Sequence, residues 1–255
     1  MLLVVDVGNT NVVLGLFHGA ALARDWRIAT DRAKTVDEYG ILFKNLFAEG
    51  GFTEGEVDGA VLSSVVPPLT MHLSEMCRKY LSQNPLLVEP GVKTGLSIKY
   101  DNPREVGADR IVNAVAAIGI YGAPAIVVDF GTATTFCAIS AKKEYLGGAI
   151  APGIGISSEA LFQRAAKLPR VELAKPPGVI GRNTIQSIQA GIIYGFTGQV
   201  KEVVRRIKEE MGGAPRVIAT GGLAELIAGE AGVFDVVDPH LTLQGLRIIF
   251  DLNRS

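Results

Sequence analysis

The chain has few of the residues that mark several common protein classes. Its 255 residues include two cysteines, one tryptophan and three histidines, and its formal net charge is -1. The two cysteines, Cys77 and Cys137, lack metal-ligand spacing and cannot build a disulfide framework, so we expect reduced, buried thiols. The charge balance, without a basic block, argues against nucleic acid or an anionic membrane as the principal partner. We therefore expect any anionic ligand to be bound by a local arrangement of residues and not by an extended basic surface.

Long apolar segments are also missing. The run from Met1 to Val5 reaches Asp6 without a basic leader and is too short for the apolar region of a signal peptide. The longest uncharged stretch, residues 111–128, is interrupted by an asparagine, two glycines and a proline, so it would span a membrane poorly. These patterns predict a cytoplasmic protein without a membrane partner.

Glycine, by contrast, is abundant, and its distribution points to a repeat. The 30 glycines do not form a low-complexity tract, and ten of them, Gly8 and Gly131 included, follow or interrupt apolar runs. Residues 4–11, Val-Val-Asp-Val-Gly-Asn-Thr-Asn, have the pattern of residues 127–134, Val-Val-Asp-Phe-Gly-Thr-Ala-Thr. After each Asp-x-Gly come two further short apolar runs separated by turn residues, which is typical of a strand meander. The sequence therefore predicts a duplicated fold.

Helical patterns follow both copies of the repeat. Thr35 and Glu38 have capping-box spacing before apolar residues at helical intervals, and Pro67-Pro68 opens a further helix. In the second half, an apolar stripe over residues 200–211 ends at two glycines. Buried strands are predicted over residues 57–66, 125–128 and 216–219. These patterns predict a duplicated α/β protein with domains at residues 1–118 and 119–255.

This arrangement resembles the superfamily of actin, sugar kinases and heat-shock-70 ATPases, whose domains are ribonuclease H-like. Each half opens with a strand, an Asp-x-Gly turn and a hairpin. The resemblance implies a nucleotide cleft between the two domains, with both Asp-x-Gly turns facing the phosphates. Because no Gly-x-x-x-x-Gly-Lys-Ser/Thr run occurs in the chain, a P-loop is excluded.

Each of the two turns has a second interpretation from its residues alone. Asp6 at a strand end is suited to hold Mg²⁺ through water, and Gly8 lets the backbone approach phosphate oxygens, but an Asx-turn at the start of a hairpin explains both residues equally. Hydroxyl residues around Asp129 suit a γ-phosphate or a cation, whereas β-propensity alone explains Thr134 and Thr135. The repeat itself favours the functional interpretation.

A third glycine turn and two polar helix starts complete the candidate sites. Thr220-Gly221-Gly222 ends an apolar strand, and in the superfamily such a turn packs under the adenosine; a helix-opening turn without a ligand is the alternative. Asp109 and Arg110 stand at a helix start, where capping and helix-dipole effects also favour aspartate. Asn183 or Thr184 is expected to cap a helix over residues 185–194.

Several motifs taken together resemble the type III pantothenate kinase family, whose members are also described as regulatory accessory factors. The resemblance covers almost the whole chain, and its motifs in order are residues 6–11, Tyr100, Gly107 to Arg110, Asp129 to Thr132, Gly147-Gly148, Pro152-Gly153, Thr184 and residues 220–222. It implies ATP-dependent phosphorylation of pantothenate to 4′-phosphopantothenate, the first step of coenzyme A biosynthesis, by a homodimer.

The resemblance also implies a role for each matching residue. Asp109 would accept the proton of the substrate alcohol, Asp6 would hold Mg²⁺ through water, and Asp129 would bind a monovalent cation, K⁺ or NH₄⁺. The implied ATP contacts are Asp6, Val7, Gly8, Asn9, Thr10, Asn11, Val12, Val13, Thr132, Gly221 and Gly222. The implied pantothenate contacts are Tyr100, Gly107, Ala108, Asp109, Arg110 and Thr184.

Two alternative functions remain open at this level. One is another small-molecule kinase or phosphatase of the same fold, acting on a sugar or acetyl phosphate, and the other is a non-catalytic nucleotide-binding regulator. The set of Asp6, Asp109 and Asp129 favours turnover, because a protein that only binds nucleotide needs no base. The three histidines lie in a turn, on a helix and, for His240, before an expected strand, and they support neither a metal site nor a catalytic triad.

Overall fold

The computed structural model describes residues 1–254, which form two compact units. Unit 1 contains Met1–Leu96, Asn102–Gly119 and the C-terminal segment that begins at Leu241, and unit 2 contains Ser97–Asp101 and Ile120–His240. The strands are β1 (Leu2–Val7), β2 (Asn11–His18), β3 (Ala21–Ala29), β4 (Gly59–Ser64), β5 (Leu86–Leu87), β6 (Ser97–Ile98), β7 (Ala125–Phe130), β8 (Ala133–Ile139), β9 (Glu144–Pro152), β10 (Arg216–Thr220) and β11 (Val236–Val237). The α-helices are α1 (Val36–Glu49), α2 (Pro67–Leu81), α3 (Ala108–Ala116), α4 (Ile154–Arg164), α5 (Thr184–Met211), α6 (Ala224–Ala231) and α7 (Leu241–Asn253). A π-helical turn, Ala117–Tyr121, follows α3.

Strand order demonstrates the duplication. The sheet of unit 1 has the order β3-β2-β1-β4-β5, and the sheet of unit 2 contains the corresponding order β9-β8-β7-β10-β11, with β6 added beyond β9. In unit 1, β1, β2 and β3 form an antiparallel meander, and β4 pairs in parallel with β1. In unit 2, β7, β8 and β9 form the corresponding meander, and β10 pairs in parallel with β7. The predicted meanders, and with them the predicted duplicated α/β class, are confirmed.

The sheet of unit 1 is covered by helices on both faces. Val5 and Val7 point into a core shared with Phe43 of α1 and Leu73 of α2. Val4 points to the opposite face, in a core that includes residues of α3 and α7. Alternating side chains of one strand therefore fill two separate cores, which explains why β1 reads as a continuous apolar run.

The predicted helix starts of unit 1 have the expected hydrogen bonds. Thr35 Oγ1 accepts the Glu38 amide proton at 3.3 Å, and Glu38 Oε2 accepts the Thr35 amide proton at 2.8 Å, so the capping box is complete. Pro67 begins α2, and β4 ends before it at Ser64. The strand predicted over residues 57–66 is therefore shorter than expected, because the chain turns into α2 where the two prolines stand.

Helix α5 differs from the expected pattern in its length. The two predicted helical segments, residues 185–194 and 200–211, are parts of one helix of 28 residues. The glycines between them lie on the exposed side of the helix, while Ile192, Ile193 and Val200 are buried, so packing maintains the helix through a weak stretch. Asn183 is the N-cap, and its Oδ1 accepts the Gln186 amide proton at 2.9 Å.

Two segments belong to a different unit from the one in which the predicted domain boundaries would place them. Those boundaries, at residues 118 and 119, stay a prediction. Strand β6 pairs in parallel with β9 of unit 2. Helix α7 returns to unit 1, where Leu246 and Ile249 are fully buried. The expectation of a strand after His240 is wrong, because the segment is amphipathic with helical spacing and forms α7. No helix within residues 1–254 combines the length and the apolar character needed to cross a membrane.

Candidate active site

The first Asp-x-Gly turn joins β1 to β2 and is fixed by hydrogen bonds from the end of β3. The Gly8 amide donates to the Asn11 carbonyl at 2.9 Å, Thr30 Oγ1 donates to the Gly8 carbonyl at 2.7 Å, and the Thr30 amide donates to the Thr10 carbonyl at 3.0 Å. Arg32 Nη2 donates to Asn9 Oδ1 at 3.0 Å. The backbone of the turn is therefore held in place, while Asn9 and Thr10 are exposed to solvent.

The residues of this turn divide into two groups by burial. Asp6 is partly buried near the carboxyl end of β1, whereas Val7 and Val12 are fully buried in the core. If Val7 or Val12 contacts a nucleotide, the contact can involve only the backbone. The backbone of Asn11 packs closely against Gly8, since a Cβ at this position would lie 3.0 Å from the Asn11 carbonyl oxygen.

Ser63 lies beside Asp6, although nothing in the sequence predicts it as a site residue. It lies directly opposite Asp6 in the parallel pairing of β1 with β4, so both side chains are on the same face of the sheet. The Ser63 side chain is fully buried, and its hydroxyl oxygen has no hydrogen-bond partner. Only the parallel register reveals this neighbour, because the sequence does not show which residue of β4 stands beside Asp6.

Asp109 lies at the start of α3, where its side chain turns back towards Gly107. Gly107 is the N-cap, and a Cβ on Gly107 would lie 2.5 Å from Asp109 Oδ1. Asp109 is therefore not the capping residue, although its Oδ1 accepts the Arg110 amide proton at 2.8 Å. Burial raises the pKa of Asp109, and the hydrogen bond and the charge of Arg110 counteract this only in part. Burial therefore disfavours the charged form of a carboxylate that lies in the first turn of α3.

The second Asp-x-Gly turn, which lies in unit 2, matches the first turn as far as its glycine and is one residue shorter after it. Val7 pairs with Val12, but Phe130 pairs with Thr134, so three residues separate the second pair instead of four. The Gly131 amide accordingly donates to the Ala133 carbonyl at 3.1 Å. The predicted repeat is therefore confirmed as far as Gly131, after which Thr134 corresponds to Val12.

Two glycine segments pack directly against this second turn. Gly221 follows β10 with φ +93°, and a Cβ on it would lie 2.5 Å from Asp129 Oδ1. A Cβ on Gly153, after β9, would overlap the Thr132 carbonyl oxygen. Asp129, Thr132 and Gly221 are thus brought together at one edge of the sheet, as expected from Thr220 lying opposite Asp129 in parallel register. Gly222 is exposed beside them.

Tyr100 and Thr184 also lie in unit 2. The Tyr100 ring lies 6.4 Å from the Tyr145 ring and covers Gly147, where a Cβ would be 3.4 Å from the Tyr100 ring. Thr184 begins α5 and, with Leu161, Leu168 and Ile188, lines a cavity of about 330 Å³. Since Asn183 forms the cap, the Thr184 hydroxyl is not needed for it.

The residues predicted for the site therefore belong to two sets. Unit 1 carries the first turn, residues 6–13, and the start of α3, residues 107–110. Unit 2 carries Tyr100, Asp129, Thr132, Thr184 and the glycine pair at 221 and 222. Tyr100 falls in a different unit from Gly107, although the two are close in sequence.

Neither aspartate turn is a complete metal cage. Within residues 1–254, no three His, Cys, Asp or Glu side chains are grouped to hold a metal ion. Single carboxylates are suited to Mg²⁺ that retains water and substrate phosphates as its other ligands. Both cysteines are buried, as expected, and burial raises the pKa of Cys77 to about 12, so it is not a ready thiolate.

Comparison with known proteins assigns the family. The family model described as type III pantothenate kinase matches residues 2–206. The chain belongs to this family. A relative named type III pantothenate kinase from Brevibacillus brevis is 61% identical over 255 residues, with 100% of both chains covered. The family predicted from the motifs at Asp6, Asp109 and Asp129 is therefore confirmed.

Solved structures of other proteins share the fold of this member of the type III pantothenate kinase family. A Campylobacter jejuni protein described as a Baf family transcriptional activator matches with a TM-score of 0.62 at 22% identity, covering 98% of both chains. A Sinorhizobium meliloti protein described as a 2-dehydro-3-deoxygalactonokinase matches with a TM-score of 0.60 at 11% identity, covering 99% of this chain and 96% of the other. Together with the duplicated strand order, these likenesses confirm the predicted actin-like fold.

Proposed function

We propose that this protein transfers the γ-phosphoryl group of ATP to pantothenate and releases 4′-phosphopantothenate, the first step of coenzyme A biosynthesis. The observation that carries the proposal is the Asp109 carboxylate, which lies at the start of α3 close to the N-cap Gly107 and whose pKa is raised by burial. A carboxylate with a raised pKa is suited to accept a proton from a substrate alcohol. Family membership supports pantothenate as that alcohol.

We assign nucleotide binding to the two Asp-x-Gly turns and to the glycine turn after β10. In this proposal, residues 6–13 contact ATP through exposed polar side chains and backbone amides. Thr132 binds from the second turn, and Gly221 and Gly222 lie against the nucleotide. The hydrogen bonds from Thr30 and Arg32 support this assignment, because a turn that is already ordered loses little conformational entropy when it binds phosphates.

We assign pantothenate binding to Tyr100, to residues 107–110 and to Thr184. Asp109 is the base in this proposal, and Arg110 is the partner for the substrate carboxylate, since a guanidinium forms strong charge-assisted hydrogen bonds with carboxylates. Arg110 is only 6% exposed and Asp109 is partly buried, so both groups would act in a region of reduced water content, where electrostatic interactions are strong.

The proposed ions are Mg²⁺ and a monovalent cation. Asp6 would hold Mg²⁺ through water and Asp129 would hold K⁺ or NH₄⁺; the donors are hard carboxylate oxygens, which fit these ions. When bound, such ions supply neutralisation of the phosphate charge that builds up during transfer. The chain itself orients the substrates and removes the proton of the alcohol.

We also propose a homodimer that acts in the cytoplasm. Val179 and Ile180, just before α5, are 68% and 85% exposed, and exposed apolar residues of this kind are typical of a surface that a partner covers. Sedimentation analysis at micromolar concentration would test the proposed dimer.

A second candidate is a non-catalytic regulator, which the description of the Campylobacter jejuni structure suggests. A regulator would bind ATP without needing a buried base, so the unfavourable burial of Asp109 favours an enzyme.

The decisive experiment is a coupled assay of ADP release with pantothenate and a panel of sugars and acetate as acceptors. We expect pantothenate-dependent ADP release and a product whose mass is that of pantothenate plus one phosphate. ADP release with a sugar alone would support another kinase of the same fold. ATP binding without ADP release for any acceptor would support the regulator.

A further inference from the structure

We propose that Thr242 and Asn113 form a positioning pair that fixes α3 and thereby places the Asp109 carboxylate for proton transfer. This inference rests on the proposed function, because it takes Asp109 as the base of the reaction. Neither residue is among the predicted site residues, and 129 positions separate them in the sequence.

Asn113 lies on the same face of α3 as Asp109. The two residues are four positions apart in one helix, so Asn113 stands one turn further along the helix from the carboxylate. Asn113 is 2% exposed, and its Oδ1 accepts a hydrogen bond of 2.7 Å from Thr242 Oγ1 of α7. This hydrogen bond helps to satisfy the buried amide oxygen, since an unsatisfied buried acceptor is unfavourable.

Helix α7 contacts the backbone of α3, not only its side chains. A Cβ on Gly245 would overlap the Val112 carbonyl oxygen, so the two helices approach closely at this point. A Cβ on Gly119 would lie 3.1 Å from Ile248, which shows that the contact continues beyond the end of α3. The Thr242 hydrogen bond is therefore the polar part of an extended and closely packed contact.

This contact matters for Asp109 because the carboxylate has little local freedom of its own. Its Oδ1 accepts the Arg110 amide proton at 2.8 Å, and the side chain is only partly exposed. The position of the carboxylate therefore follows the position of the α3 backbone. A displacement of about 1 Å in a reacting group can lower a rate about 10²-fold.

The test uses three variants, each measured below its melting temperature. Thr242→Val removes the hydroxyl and keeps the shape, and Thr242→Ser keeps the hydroxyl. Thr197→Val is the control, because Thr197 is likewise a threonine in a helix, is buried, and has a hydroxyl without a hydrogen-bond partner. We expect Thr242→Val to lower kcat about tenfold, within the range that small misplacements cause, while the KM for ATP stays within about twofold of wild type. Thr242→Ser and Thr197→Val should retain kcat within about twofold of wild type.

A double variant tests whether the effect passes through Asp109. In the Asp109→Asn background, Thr242→Val should cause no further loss of kcat, because the base that it positions is already absent. An equal loss in both backgrounds would overturn the proposal, and so would a folded Thr242→Ser variant that loses as much kcat as Thr242→Val. A wild-type protein without pantothenate-dependent ADP release overturns the proposed function and this role with it. An active wild type with an unaffected Thr242→Val variant overturns this role alone.

Discussion

Gly221 and the carboxylate of Asp129 are in such close contact that no side chain fits between them. A Cβ on Gly221 would lie 2.5 Å from Asp129 Oδ1, and the φ of +93° at Gly221 is unfavourable for any L-residue with a side chain. The turn after β10 therefore determines where the carboxylate at the end of β7 can lie. This contact connects the proposed nucleotide turn with the proposed cation ligand.

Gly221→Ala should raise the KM for ATP about tenfold, equivalent to about 1.4 kcal/mol, without a matching change in the KM for pantothenate. The alanine would push against Asp129 and distort the turn. Gly213→Ala is the control, because Gly213 has φ +73° and a Cβ added to it would meet no atom within 4 Å, so it has the backbone strain without the contact. If only the KM for pantothenate changes, the assignment of this turn to the nucleotide is wrong.

Asp6→Asn should abolish turnover and leave the fold intact. The amide keeps the shape of the side chain at the end of β1 but loses the charge that we assign to organising Mg²⁺ and the phosphates. Trp26 is the one tryptophan of the chain and packs near Phe47 in unit 1, so its fluorescence reports whether this unit is folded. A folded variant with the wild-type rate at saturating Mg-ATP would contradict the role of Asp6.

Activity should depend on K⁺ or NH₄⁺ and be low in Na⁺ alone, because Asp129 is proposed to bind a monovalent cation beside the phosphates. The measurement compares kcat in chloride salts of the three cations at matched ionic strength. Equal rates in all three salts would remove this role and leave Asp129 as a second phosphate-side carboxylate. Asp129→Asn should lose the dependence on the cation along with most of the activity.

Asp109→Asn should lose about two orders of magnitude or more in kcat while still binding ATP, as expected on removal of a general base. The asparagine can still accept the Arg110 amide proton, so the helix start should be preserved. Loss of a substrate hydrogen bond alone would instead appear mainly in KM. A kcat within about threefold of wild type would leave Asp109 as a positioning group.

Asp109→Asn should also change the free energy of unfolding, in a direction that the pKa of Asp109 determines. Burial raises this pKa above 3.8 in the folded protein, so the folded state favours the protonated form more than the unfolded state does. The contribution of this pKa shift to the free energy of unfolding is fully present below the pKa that Asp109 has in the unfolded state. It is lost as the pH rises through the pKa that Asp109 has in the folded state. At neutral pH the Tm of Asp109→Asn should equal or exceed that of wild type, and this difference should shrink as pH falls towards 3.8. A large decrease in Tm at neutral pH would contradict this prediction.

The sequence by itself determined the features that depend on neighbouring residues. The capping box at Thr35 and Glu38 and the start of α2 at Pro67 follow from local hydrogen-bond and backbone rules, and the structure confirms them. The duplication was visible because the strand that ends at Asp6 and the one that ends at Asp129 share one pattern of apolar, acidic and glycine residues. Such signals extend over a few residues, so they do not depend on how the chain is arranged in space.

Tertiary structure decided which distant residues become neighbours. Ser63 stands beside Asp6 only because β1 and β4 pair in parallel in one register, and Thr242 reaches Asn113 only because α7 returns to unit 1. The single helix α5 also depends on packing, since its buried isoleucines outweigh the weak helix propensity of its exposed glycines. Register and helix packing depend on the burial of whole apolar faces. The free energy of that burial is a property of the assembled core and not of any short stretch of sequence.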